Sequence, residues 1–248
     1  MELVVILVAL AVQRYTTFFS KKYRDNLTAS YFDLFESKFG LALSNSYLRA
    51  VLSWALPLTL LAGILILLHY VFGLIASFLL NIIVLWFCID GRDRRKNLVV
   101  IEDLSQHFSQ SYDDLFSKIF WYSLLGPLGC VFLVLIDSAD KFYTNNSNLE
   151  LKSLIKKITG ITDWIPVRLM GLSFALVGNF GSAFSCLSKH FFSGINVGGP
   201  QVKDFGLAAL QVDAVAKEDE QKIFTLLDNT LLMWLVVIAL INIIILLS

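Results

Sequence analysis

The chain has few of the residues from which disulfide frameworks and metal centres are built. It contains three cysteines and three histidines. The cysteines are odd in number, far apart and inside apolar segments, which favours small core residues over a disulfide framework. The histidines show no ligand spacing, so no zinc or haem site is expected. The residues concerned are Cys88, Cys130, Cys186, His69, His107 and His190.

An excess of charge of either sign is also missing. Twenty basic residues balance twenty acidic ones, so there is no bulk electrostatic case for nucleic-acid binding. The glycine-rich residues 194–200 lack the Lys-Ser/Thr pair of a phosphate-binding loop and contain no Gly-x-Gly-x-x-Gly pattern, so they suit an ordinary turn. No cofactor, metal ion or nucleic-acid partner is therefore expected.

Hydrophobic residues, in contrast, are abundant. They make up 56% of the chain, against about 45–50% in soluble domains by a similar count, and the mean hydropathy is +0.69. The excess lies in blocks, which predicts an all-α integral membrane protein. We expect about four hydrophobic membrane segments, amphipathic surface helices, and the lipid bilayer as a partner.

The first half of this single membrane domain divides into three parts. Residues 1–50 are predicted to be amphipathic and to lie at the membrane surface. Residues 51–89 read as a transmembrane hairpin, and residues 90–118 as a cytoplasmic loop. Basic residues flank the hairpin while its tip carries no lysine or arginine, so the positive-inside rule places the tip in the periplasm.

The second half contains two further hydrophobic segments. Residues 119–137 form the third membrane segment, where Gly-Pro-Leu-Gly predicts a kink or a re-entrant turn. Residues 138–229 are a mixed region, and residues 230–248 are a carboxy-terminal transmembrane helix. A full third span would place residues 138–229 in the periplasm, and a re-entrant segment would keep them in the cytoplasm. Basic residues on both flanks favour the cytoplasm.

The stretch Asp-Trp-Ile-Pro-Val-Arg-Leu at residues 163–169 stands out in the mixed region. Asp163 or Thr162 could cap a helix start, with Pro166 in the first turn. One face of the predicted helix is apolar. A second face has small residues, which let another helix approach closely. The apolar face comprises Ile165, Leu169, Leu172, Leu176 and Phe180, and the small face comprises Gly171, Ala175, Gly178 and Ser182.

Arg168 is the costly residue in this helix, because a cation in an apolar helix must either reach the headgroup layer or find a partner. On physical grounds alone, Asp163 is a cap, Trp164 an interfacial anchor and Arg168 a snorkelling side chain. The functional interpretation pairs Arg168 with Asp137 or Asp140 at the end of the third segment. Both interpretations remain open at this point.

The same stretch resembles the signature of the AmpE family of bacterial inner-membrane proteins. The resemblance implies a multi-pass protein of the inner membrane linked to β-lactamase induction and cell-wall signalling. It implies as partners a cell-wall recycling amidase system or an unidentified small ligand, and it brings no established catalysis. The candidate ligand-binding or functional residues are Asp113, Asp137, Asp140, Asp163, Trp164 and Arg168.

The AmpE family is similar in turn to the CobD/CbiB adenosylcobinamide-phosphate synthases. Leu-Gly-Pro-Leu-Gly followed by Ile-Asp-Ser, at residues 125–138, resembles a run in those synthases. Their Glu-Asn-x-x-Asp motif is reduced here to Asp113, since Ser109 and Gln110 stand in place of the glutamate and asparagine. This departure counts against the alternative function, a cobalamin-biosynthesis amide ligase, and no catalytic residue is assigned.

Overall fold

The computed structural model describes residues 2–15, 21–39, 45–89, 105–145, 149–191, 200–212 and 220–247. Every regular element in these ranges is a helix, which confirms the predicted all-α class. The helices are α1 (Glu2–Tyr15), α2 (Lys21–Phe39), α3 (Ser46–Cys88), α4 (Gln106–Ser111), a π-helix (Tyr112–Phe116), α5 (Ser117–Leu125), α6 (Pro127–Asn145), α7 (Leu149–Val177), α8 (Phe180–Phe191), α9 (Pro200–Leu210) and α10 (Glu220–Leu247). The glycine-rich loop lies mostly outside the described residues, and the basic run of the predicted cytoplasmic loop lies wholly outside them.

Three of the described helices, α3, α7 and α10, are long and apolar enough to cross a membrane. The carboxy-terminal helix matches the predicted last segment. The predicted third segment is instead divided between α5 and α6 at Gly126, whose φ of 64° interrupts the helix. The expected break is therefore present, because glycine adopts this left-handed conformation without steric cost.

Helix α3 covers the residues of the predicted hairpin. Its 43 residues correspond to about 65 Å of straight helix, twice the roughly 30 Å of a hydrocarbon core. Gly73 has φ 73° and ψ −161°, and Ser77 Oγ lies 3.4 Å from His69 Nδ1 across it. Residues eight apart in a straight helix are separated by about 12 Å along the axis, so the chain bends at Gly73.

The chain folds as two compact units. The unit formed by Val5–Asp90 and Trp121–Thr159 has α6 packed against α2 and α3. The Tyr143 hydroxyl donates to Glu36 Oε1 at 2.7 Å, and Arg49 Nη1 lies 3.4 Å from Glu36 Oε2. The buried core of this unit comprises Phe32, Ala50, Trp54, Leu135, Ile136, Ala139, Tyr143, Leu151 and Ile155.

The other unit, formed by Met1–Val4, Gly91–Phe120 and Gly160–Ser248, is built on close helix approaches at small residues. A Cβ on Gly171 would lie 2.7 Å from Phe205 Cδ2. A Cβ on Gly206 would lie 2.6 Å from Phe108 Cδ2. Gly171 on the predicted small-residue face thus packs against α9, as does Gly178 just after the end of α7 at Val177, whereas Ser182 lies in α8.

Helix α7 begins much earlier than the signature stretch. The prediction that Asp163 or Thr162 caps a helix start is wrong, because α7 runs continuously from Leu149. Leu151 and Ile155 are fully buried, so the polar stretch before the signature has its own apolar stripe and folds as helix. Pro166 therefore lies in the helix interior rather than in its first turn.

Candidate functional site

A buried hydrogen bond joins the signature helix to the π-helix. The Tyr112 hydroxyl donates to Asp163 Oδ1 at 2.8 Å. Tyr112 is fully buried, and Asp163 is 9% exposed. A π-helix is rare and often occurs at functional sites. The signature aspartate is therefore held by a tyrosine 51 residues earlier in the chain.

The Tyr112 hydroxyl keeps its proton at neutral pH and acts as a hydrogen-bond donor. Burial raises the pKa of Tyr112 well above 10, because the protein interior disfavours the charged tyrosinate. The negative charge and hydrogen bond of Asp163 raise that pKa further, as does the charge of Asp113. A hydrogen bond with the Ser117 side chain lowers it.

Two neighbours of Tyr112 in sequence have contrasting environments. Lys118 is buried, and its Nζ donates to the backbone oxygen of Asp113. The Asp113 side chain is exposed. The bond suits a lysine in the interior, because a buried ammonium needs acceptors. The two candidate site residues thus differ, since Asp113 is exposed and Asp163 is buried.

Arg168 and Trp164 form a second cluster one turn further along α7. Arg168 donates from Nε and Nη2 to the Phe191 oxygen, at 3.0 and 2.8 Å, and from Nη1 to the Trp164 oxygen, at 2.8 Å. Its guanidinium carbon lies 4.2 Å from the Trp164 ring centroid. Phe191 is the last residue of α8, so the guanidinium occupies the end of α8 where the helix dipole favours a cation.

Asp137 and Asp140 lie in α6 of the other unit. Both are half-buried, and Asp140 Oδ1 is buried without a hydrogen-bond partner among the described residues. The structure therefore brings Asp163 to Tyr112 and Arg168 to Trp164. The pairing of Arg168 with Asp137 or Asp140 stays a prediction.

Sequence reasoning missed Tyr112, Ser117 and the Phe191 carbonyl. A weak signal existed for Tyr112. It lies four residues after Phe108 and four before Phe116, which is the spacing of one helix face. All three side chains are fully buried in the structure. No comparable signal exists for a backbone carbonyl, because its availability depends on where a helix ends.

The described residues contain no group of three histidine, cysteine, aspartate or glutamate side chains arranged to hold a metal ion. The site instead consists of a buried tyrosine–aspartate hydrogen bond and a carbonyl-bound arginine stacked on tryptophan. Buried ionisable groups in an apolar helix are expensive, which makes these positions candidates for function.

Comparison with known protein families shows which family the chain belongs to. The model of the family described as "Regulatory signalling modulator protein AmpE" matches residues 107–247, more than half of the chain. The matched residues contain both α7 clusters, from Tyr112 through Arg168 to Phe191. No curated protein and no solved structure matches the chain. The chain belongs to the AmpE family of regulatory signalling modulators.

Proposed function

We propose that this protein is a multi-pass regulator of the bacterial inner membrane that links the state of the cell wall to β-lactamase induction. The family match over residues 107–247 carries the proposal. Its partners are the lipid bilayer and either a cell-wall recycling amidase system or a small ligand. The three helices long and apolar enough to span a membrane support the location.

The buried Tyr112–Asp163 bond gives the regulatory role a physical basis. A buried carboxylate that loses its donor is left unsatisfied in the interior, at a cost of about 1–3 kcal/mol or more for a charged group. A signal that separates the π-helix from α7 must overcome this cost. The bond therefore favours one arrangement of the two elements.

The test is a β-lactamase induction assay in the host with the chromosomal gene deleted. The deletion is complemented with the native protein, with Asp163→Asn, or with Gly63→Ala as control. Gly63 has open space around it. We expect the deletion to change induction, and the native protein and Gly63→Ala to restore it. Asp163→Asn should fail at equal membrane abundance, because a neutral amide accepts a weaker hydrogen bond from Tyr112 than a carboxylate does. Unchanged induction in the deletion strain would refute the regulatory role.

The inner-membrane, multi-pass location has its own test. Tyr70 is 90% exposed and close to the bend at Gly73. In a background without native cysteines, Tyr70→Cys should react with an impermeant thiol reagent added to the periplasm. Asn97→Cys, beyond the basic run, should not react. The opposite labelling would overturn the topology.

Amide ligation of the CobD/CbiB type is the alternative function. It is supported by the resemblance at residues 125–138 and by the similarity between the AmpE family and the synthases. We expect the purified protein to form no amide from adenosylcobyric acid, aminopropanol phosphate and ATP, because the Glu-Asn pair is replaced by Ser109 and Gln110. ATP-dependent product that disappears with Asp137→Ala would favour the ligase over the regulator.

A further inference from the structure

A groove of about 390 Å³ lies between α2 and α6, within the unit formed by Val5–Asp90 and Trp121–Thr159. The volume is within the roughly 300–1,000 Å³ of small-molecule sites. The family match begins at residue 107 and therefore covers only the α6 side of the groove. The groove is lined by Asp25, Asn26, Thr28, Ala29, Asp33, Ser138, Lys141 and Phe142.

The two acids of the groove differ in their partners. Asp25 Oδ2 lies 2.9 Å from Lys141 Nζ, and this ion pair offsets the charge of Asp25. The Asp33 carboxylate is exposed, and within the described part of the chain it has no hydrogen bond or ion pair. The lining residues thus carry one net negative charge, which lies at Asp33, where a ligand can reach it.

A buried hydroxyl also lines the groove without a partner. Ser138 is 6% exposed, and its hydroxyl makes no hydrogen bond to any described residue. The other buried hydroxyl of the groove, that of Thr28, already donates to the backbone oxygens of Arg24 and Asp25. Because a buried polar group without a partner is costly, a ligand that donates a hydrogen bond to Ser138 Oγ is favoured.

An aromatic ring lies at the same end of the groove as the open carboxylate. Phe142 stacks on Phe32, the residue directly before Asp33, with the ring centroids 5.7 Å apart. Phe142 also follows Ser138 by four residues, which places both on one face of α6. Aromatic rings attract ammonium groups. A carboxylate, a hydroxyl acceptor and an aromatic ring together suit a primary ammonium group on a short apolar chain.

The same residues suit a metal ion less well. Asp25 and Asp33 are eight residues apart on α2, or about 12 Å along the helix axis, whereas a calcium ion holds its oxygen ligands at about 2.3–2.6 Å. The two carboxylates therefore cannot share one ion. An ammonium group, in contrast, needs only one carboxylate and a few hydrogen-bond acceptors.

We propose that the groove between α2 and α6 binds a small primary amine, with the ammonium group between Asp33 and Ser138 and the hydrocarbon part against Ala29 and Phe142. A second ammonium group is disfavoured, because Lys141 already pairs with the other acid of the groove. The site goes beyond the proposed function and does not depend on the link to β-lactamase.

The experiment is a ligand-observed NMR titration of the purified full chain in a nonionic detergent. The probes are butylamine, butanol, which lacks the charge, and butyltrimethylammonium, which keeps the charge but has no N–H donor. We expect butylamine to bind about tenfold more tightly than butanol, as one charge-assisted contact allows. Butyltrimethylammonium should also bind more weakly than butylamine, because it cannot donate to Asp33 or Ser138.

Three variants locate the bound amine. Asp33→Asn keeps the shape of an exposed side chain and should weaken butylamine binding about tenfold. Ser138→Ala should weaken it about threefold and leave butyltrimethylammonium binding unchanged, because only the amine donates a hydrogen bond. Asp228→Asn removes an exposed acid of α10, in the other unit, and should change neither affinity.

Two results would overturn the amine site. One is equal affinity of the native protein for butylamine and butyltrimethylammonium, which would show that no hydrogen-bonded ammonium group is held. The other is an equal loss of butylamine binding in Asp33→Asn and Asp228→Asn, which would show attraction to surface charge in general. Because the titration uses purified protein, its outcome is separate from that of the β-lactamase assay.

Discussion

Helices α7 and α10 have almost the same length, 29 and 28 residues, but opposite surroundings. In the most apolar 18-residue stretch of α7, 61% of the residues are buried in the protein, against 17% in α10. Of the helices able to cross a membrane, α10 is the most hydropathic and α7 the least. The helix with the lower hydropathy, α7, is thus the one with more of its residues buried by the rest of the protein.

The hydrogen-bond partners of polar side chains also differ between the two helices. Asp163 and Arg168 of α7 bond to Tyr112 and Phe191, which belong to other elements. Within α10, Thr230 and Asn242 bond to carbonyl oxygens four residues earlier in the same helix, and the indole of Trp234 donates to Ser173 Oγ of α7. Since lipid offers no hydrogen bonds, polar groups must be satisfied by protein. A helix can therefore hold ionisable groups only where neighbours supply partners.

The largest expected effect comes from placing an arginine on the outer face of α10. Leu240→Arg puts a charge at a residue that is 54% exposed, and we expect it to cost about 2.5–3.5 kcal/mol of membrane insertion. Insertion efficiency of α10 in a translocon assay measures this cost, with Leu240→Phe as control. Unhindered insertion of the arginine variant would show that this face does not meet lipid.

A smaller effect is expected from adding a methyl group to α7. Gly171→Ala places a Cβ 2.7 Å from Phe205 and 2.9 Å from Leu187, so two buried side chains must move, at about 1–3 kcal/mol. Gly63→Ala in α3 meets nothing within 4 Å and should be neutral or slightly stabilising. Unfolding in mixed detergent measures both. Equal stability of the two variants would contradict the close packing of α7.

The smallest effect concerns alkaline pH. Because the folded-state pKa of Tyr112 is raised, the folded protein holds the hydroxyl proton more tightly than the unfolded chain. This contribution is complete below about pH 10 and falls as pH rises through the folded pKa, by up to about 1.4 kcal/mol per pH unit. Tyr112→Phe should remove this part of the slope in unfolding measured above pH 10. Tyr70→Phe, at an exposed tyrosine, should leave it unchanged, and equal slopes in all three proteins would be inconsistent with a buried donor.

Local pattern is sufficient for the helical class, for the apolar helices α3 and α10 and for the break points, but it does not single out α7 as long and apolar enough to cross a membrane. Long apolar runs predict α3 and α10, because such runs suit a lipid environment and need no particular protein neighbour. The bends at Gly73 and Gly126 follow from residue type, since both adopt a positive φ that other residues avoid. The small-residue face of α7 is also visible as a helical repeat.

Tertiary structure alone decided the partners of the signature residues. Asp163 is predicted to cap a helix start because it precedes Pro166 and an apolar helical pattern, yet Tyr112 bonds to it from the π-helix. Arg168 donates to the Phe191 carbonyl, whose availability depends on where α8 ends, and its pairing with Asp137 or Asp140 stays a prediction. Propensity acts over a few residues, whereas the satisfaction of a buried charge depends on elements that meet only after the chain has folded.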